Sequence, residues 1–275
     1  RASGISDYLV ETGHKSDEIL TPQQMGDTAA AGYGEVVRLE RIAEQVAGEG
    51  DPADFVVAFA DRLDSHLSTA VGVKSIAAYR CGFDIDPSRP SPDEVAEAVQ
   101  QWRRSTPKGS PLRLSDPVLV RHGWWAAIER AVPIQLHVGY GDPDVDLHRC
   151  NPLLLTDLLR LARGSGAPFP LLHCYPFHLE PGHLANVFGL AITYTGAQSA
   201  QVIAESLELT PFGKALFSSD AFGAAELFHL GALLFRRGLA RALDTWAGAD
   251  WPPHEQQRIA TMIATGNARR VYRLD

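Results

Sequence analysis

The chain is predicted to be an α/β protein of the TIM type, a (β/α)8 barrel that is one strand short. Three observations predict it. Apolar, strand-like runs alternate with amphipathic helical runs along the 275 residues. The connections between them are mostly short, and three of the runs lead into His137, His173 and Asp220, residues able to bind or react. Alternating strands and helices imply a parallel sheet. In a parallel barrel the carboxyl ends of all strands share one face, which is where chemistry is found. A barrel of this kind takes about 250 residues as one unit, so residues 1–275 are read as a single domain.

The elements follow in order. Ile5 to Thr12 ends at Gly13 and reads as a short strand; Gly34 to Glu40 holds Val36-Val37-Arg38-Leu39, a second strand, before the helix formers of 41–46. Phe55, Val56, Phe59, Leu63 and Leu67 recur at helical spacing and leave Asp61, Arg62 and Asp64 outside. Val71 to Arg80 is a strand carrying Lys74. Ser91-Pro92-Asp93-Glu94 is a capping box with proline at the first helical position, so a helix runs from there through Trp102. Asp116-Pro117 opens the next helix, which leads to the strand before His137. Asn151-Pro152 starts a helix rich in leucine and closed by Gly164. Pro170 begins the strand ending at His173, followed by a short helix over 184–188, a strand over 190–194, a helix over 197–207 and the strand ending at Asp220. Helices over 224–239 and 254–272 close the chain. The strands thus centre near Tyr8, Val37, Val73, Leu136, Leu171, Ile192 and Phe217. An open dinucleotide-binding sheet is disfavoured, because Gly139-Tyr140-Gly141 lacks the third glycine of that fingerprint.

Composition narrows the function. Hydrophobic residues make up 45% and charged residues 21%, enough apolar material for a large core. With 25 Lys and Arg against 33 Asp and Glu, the net charge of -8 offers no basic stripe for nucleic acid. Cys81, Cys150 and Cys174 form neither a disulfide framework nor a Cys-x-x-Cys pair, which fits a reducing, cytoplasmic setting. No apolar run reaches the roughly 18 residues of a membrane span. A small-molecule substrate is the expected partner, and self-association into a homo-oligomer is left open.

Two imidazoles and a carboxylate at strand ends are a donor set that suits zinc, and also manganese or iron, when a position stays open for water. Taken singly, a histidine beside an apolar run is a structural hydrogen bonder. Three such strand ends together make the metal reading its equal. His137, His173 and Asp220 are therefore the expected metal ligands. Asp220 could instead take the proton of a bound water, and His173 could polarise a carbonyl. Lys74 is read as a helper at the same face, either a carbamylated ligand or a substrate anchor, against the default of a solvated lysine. Arg80 could clamp an anionic group with its fork of donors. Asp142, Asp144 and Asp146 could hold a cation, although aspartates beside glycine and proline usually form turns. A serine hydrolase is disfavoured, since no Gly-x-Ser-x-Gly surrounds Ser218-Ser219-Asp220.

Five stretches carry a family resemblance: Val71 to Arg80, Leu136 to Leu147, Leu171 to Pro176, Leu216 to Ala221 and Gly266 to Tyr272. In order, they resemble motifs of the amidohydrolase superfamily, specifically the amidohydrolase 2 branch that includes the hydrolase-like domain fused to glutamine synthetase-like proteins. The resemblance implies a barrel whose fourth, fifth, sixth and eighth strands carry Lys74, His137, His173 and Asp220. It implies a divalent ion, zinc for preference, that activates water against an amide- or ester-like bond. His173, Asp220 and Lys74 would then be catalytic, and Arg80 and Tyr175 would touch substrate. Relatives in the branch include decarboxylases, so a metal-dependent decarboxylase that grips a carboxylate with Arg80 is the alternative. A non-catalytic metabolite-binding barrel is a further one, prompted by a departure: the family's first strand carries His-x-His, and no such pair occurs here. The expectation is therefore an N-terminally incomplete barrel whose first strand precedes Arg1.

Overall fold

A computed structural model describes residues 2–141, 143, 145–184, 188–190, 196–247 and 250–274. It opens with strand β1 (Asp7–Glu11), helix α1 (Pro22–Ala29), strand β2 (Gly32–Arg38), helices α2 (Leu39–Glu49) and α3 (Phe55–Leu67), and strand β3 (Gly72–Ser75). Helices α4 (Pro92–Ser105) and α5 (Pro117–Glu129) precede β4 (Ile134–Val138). Then come α6 (Thr156–Leu161), β5 (Leu171–His173), α7 (Glu180–Leu184), β6 (Phe188–Leu190), α8 (Ser199–Glu208), β7 (Ala215–Phe217), α9 (Glu226–Ala247), α10 (Pro253–Thr261) and α11 (Asn267–Tyr272).

The seven strands form one sheet in sequence order, every neighbouring pair parallel. All strands therefore point the same way, and their carboxyl ends share one rim. β1 and β7 are the two edges, so the sheet is a partial barrel, and no eighth strand closes it among the described residues. The segment ahead of β1 is nevertheless tied to the helix after β7. Arg236 on α9 donates to the Ser3 and Gly4 carbonyls at 2.6 and 3.0 Å, and Tyr8 meets Phe228 edge-on with ring centroids 5.3 Å apart. Val73, Ile134, Leu136, Val138, Leu171 and Ala215 from the strands are fully buried. They share a core with Ile42, Phe59, Leu63, Trp124, Ile203 and Phe235 from the helices.

Four elements depart from the sequence expectation, each for a local reason. Helix α1 was not foreseen. Its start is a capping box at Thr21 and Gln24, which satisfies two otherwise orphaned backbone donors. The strand expected over 71–80 stops at Ser75, because the Glu40 carboxylate takes the Ser75 hydroxyl at 2.6 Å and the Ile76 N–H at 2.9 Å and so ends the ladder. The short helix expected over 184–188 lies earlier, at Glu180–Leu184, and Phe188 belongs to β6; residues 191–195 of the expected next strand are outside the described residues. The closing helix is interrupted by a wider π turn at Met262–Gly266, between α10 and α11. No described helix is long and apolar enough to cross a membrane.

Candidate metal centre

β4 and β5 lie side by side, and their ends bring the two histidines together. The register pairs Val138 with His173 and His137 with Leu172. Paired residues on neighbouring strands face the same way and successive residues alternate, so a regular β5 would aim His173 away from His137. It does not, because His173 has φ +62° and Cys174 has φ +61°. That left-handed step, which costs a non-glycine residue about 1 kcal/mol or more, breaks the alternation. The two rings meet edge to face with centroids 4.4 Å apart. Asp220, three residues beyond β7, is also left-handed at φ +48°. Its Oδ1 lies 3.0 Å from His173 Nε2. Two of the predicted site residues thus sit on strained backbone, as groups held for function often do.

Neighbouring loops hold this arrangement. The Tyr140 N–H donates to the Tyr175 carbonyl at 2.9 Å, fastening the loop after β4 to the loop after β5. Gly139 makes that contact feasible: it has φ +78°, and a Cβ there would lie 2.1 Å from the Tyr175 carbonyl oxygen. Tyr79, which sequence reasoning did not single out, places its hydroxyl 3.1 Å from His137 Nδ1 and its ring 4.2 Å from the imidazole. The only hint was its place near the end of the stretch read as the strand bearing Lys74.

Charge at the site is set by burial and by neighbours. His137 is 3% exposed, and burial first, then His173 and Lys74, hold its pKa down to about 2, so the ring is neutral at ordinary pH. A neutral imidazole is the form that binds metal. Burial works to raise the Asp220 pKa, but His173, Lys74 and His137 together outweigh it and lower the value to about 2. Lys74 lies opposite Gln135 in the register, on the same face of the sheet as His137, from where its charge reaches both groups.

Hydrogen bonding at the site is incomplete, as it also is at His122 Nε2 and Trp124 Nε1 in the core. His137 Nε2 and both ring nitrogens of His173 are buried without a hydrogen-bond partner. The 3.0 Å approach of His173 to Asp220 is close enough for an ion pair, yet it is not aligned as a hydrogen bond. Gly141 lies tight against His137 and Tyr79: a Cβ there would come within 2.7 Å of Nε2 and 2.0 Å of the Tyr79 hydroxyl, so only glycine fits beside the ring. Unmatched buried ring nitrogens with a carboxylate beside them are donors of the kind a cation site uses. The donors fit in kind, although no three His, Cys, Asp or Glu among the described residues stand in ready coordination geometry.

The remaining predicted residues are placed differently. Arg80 lies in another polar cluster, its Nη2 3.9 Å from Glu44, with burial and then Arg113 acting to lower its pKa. Tyr175 is half-buried beside the site and stacks on His178, ring planes 12° apart. Asp142 and Asp144 are outside the described residues, and Asp146 accepts from the His148 N–H at 3.0 Å as a turn former does.

Comparison with known proteins bears on this geometry. The family described as Amidohydrolase matches residues 101–274, which include His137, His173 and Asp220. The chain belongs to the amidohydrolase family. Protein fluG of Emericella nidulans is similar at 32% identity over 225 residues, covering 74% of this chain. The chain spans only 26% of that relative's length. A crystal structure of a candidate metal-dependent hydrolase from Lactobacillus casei is similar with a TM-score of 0.88 and 29% identity, covering 98% of this chain and 74% of that one. As an amidohydrolase, the chain presents its histidines and aspartate where the fold gathers functional residues, on the carboxyl rim of a parallel sheet.

Proposed function

We propose that this amidohydrolase is a metal-dependent hydrolase of a small molecule, acting on an amide- or ester-like bond. His137, His173 and Asp220 would hold one divalent ion, with zinc as the best match to two imidazoles and a carboxylate. When bound, such an ion lowers the pKa of water to about 7 and polarises a carbonyl oxygen. The observation that carries the reading is the set of three buried ring nitrogens without a hydrogen-bond partner, one of them 3.0 Å from Asp220 Oδ1. Family membership and the similarity to a candidate metal-dependent hydrolase support it.

The chain's own residues have separate tasks. His137, kept neutral by burial, offers a lone pair. Asp220, kept ionised to low pH, offers negative charge and a place for a proton at its second oxygen. Lys74 supplies positive charge near both and would steady an anionic oxygen of the substrate. Tyr175, half-buried beside the histidines, would form part of the substrate wall. The decarboxylase alternative relied on Arg80, which stands beside Glu44, so the hydrolase is preferred.

The test is Asp220→Asn, which keeps shape and removes charge. With zinc supplied, hydrolysis across a panel of small amides and esters is expected to fall by about 100-fold or more. Turnover equal to that of the unsubstituted chain would contradict the assignment.

A further inference from the structure

The contact between Tyr79 and His137 bears on which imidazole nitrogen is available. A hydroxyl can donate or accept, and so can Nδ1 of a neutral imidazole. If the Tyr79 hydroxyl donated to Nδ1, the ring proton would sit on Nε2. That N–H would be buried without an acceptor, since Nε2 has no partner. An orphaned buried N–H is rarer and costlier than an unmatched lone pair. The opposite arrangement leaves no ring donor unmet: Nδ1–H donates to the Tyr79 oxygen across 3.1 Å, and Nε2 keeps its lone pair.

We propose that Tyr79 is a positioning residue that fixes His137 in the Nδ1–H tautomer and thereby presents Nε2 as a ligand atom. A metal-binding histidine normally donates its other N–H to an oxygen that sets its tautomer and orientation. Here a phenol shares that place with the Gly139 carbonyl, which also acts on the His137 ring. The centroid separation of 4.2 Å means that the same ring also packs against the imidazole, so one side chain supplies both orientation and tautomer. The consequence for metal binding rests on the function proposed above, whereas the tautomer itself does not.

Long-range proton–nitrogen NMR of histidine-labelled protein reads the tautomer directly, with the His137 signals assigned by their loss in His137→Asn. The metal-free, unsubstituted chain is expected to show the Nδ1–H pattern, and Tyr79→Phe is expected to shift it toward Nε2–H. A dominant Nε2–H tautomer in the unsubstituted chain would overturn the proposal, as would an unchanged tautomer in Tyr79→Phe. Calorimetric titration with zinc chloride is then expected to show 10–100-fold weaker binding for Tyr79→Phe, the typical cost of losing such a partner. Equal affinity of the two proteins would also overturn it. If neither protein binds zinc while the tautomers behave as expected, the metal reading fails and the role of Tyr79 in setting the tautomer stands.

Discussion

Gln135 and His137 lie two residues apart on one five-residue strand and face the same side of the sheet, yet they meet opposite conditions. Gln135 looks toward the amino ends of the strands, where its Nε2 donates to the Tyr272 hydroxyl at 2.8 Å. Nearby, Asn267 donates to the carbonyls of Phe212 and Ala215 at 2.7 and 2.8 Å. His137 looks toward the carboxyl ends, where it and His173 keep three nitrogens without a hydrogen-bond partner, one of them 3.0 Å from the Asp220 carboxylate. A buried polar group that is fully bonded helps to specify a fold, and one left unbonded costs about 1–3 kcal/mol. The foot of the sheet spends its polar atoms on holding elements together. The rim leaves them free, a stability cost that makes sense where something else binds.

This contrast can be broken experimentally. The largest effect is expected at the foot: Asn267→Ala leaves one buried and one part-buried carbonyl without their donor and should destabilise the chain by about 2–3 kcal/mol in urea unfolding, with zinc affinity unchanged. A similar loss of zinc affinity would show that foot and rim are not separate. A second effect, smaller per pH unit, follows from acid. His122, packed against Phe55 and Phe59, has its pKa lowered by burial to about 4, and His137 is lowered to about 2, both from 6.5. Between pH 6.5 and 4 the unfolded chain therefore binds protons that the folded chain refuses. Stability should fall with falling pH, by up to about 1.4 kcal/mol per unit for each histidine. His122→Leu should roughly halve that slope, and an unaltered slope would remove His122 from the account.

Much of the rim was legible in the sequence, because a histidine after an apolar run marks a strand end whatever the rest of the chain does. His137, His173 and Asp220 were found that way, and the fold does bring His173 to both of the others. What was not legible depends on backbone detail. Nothing in Leu171-Leu172-His173-Cys174 announces two left-handed residues in succession, although that step is what turns His173 toward His137. Tyr79 was hidden for a related reason: the strand was read through to Arg80, which would have pointed Tyr79 by simple alternation, whereas the turn at Ala77–Tyr79 redirects it. Thr21-Pro22-Gln23-Gln24 did carry a readable helix start, and its threonine and glutamine cap the helix as that signature prescribes. Arg80, expected at the rim as a cation near a strand end, stands 3.9 Å from Glu44 on the adjoining helix.

The central claim is that the unpaired nitrogens at the rim exist to bind a cation, and His173→Asn tests it most directly, because asparagine tolerates the left-handed backbone at that position. Urea unfolding of both proteins, with and without zinc, is the measurement. The account predicts that without zinc the substitution changes stability by no more than about 1 kcal/mol, the size of an ordinary tolerated change. It also predicts that zinc raises the unfolding midpoint of the unsubstituted chain, as any ligand of the folded state must, and leaves that of His173→Asn unmoved. Equal stabilisation of both proteins by zinc, or of neither, would contradict it.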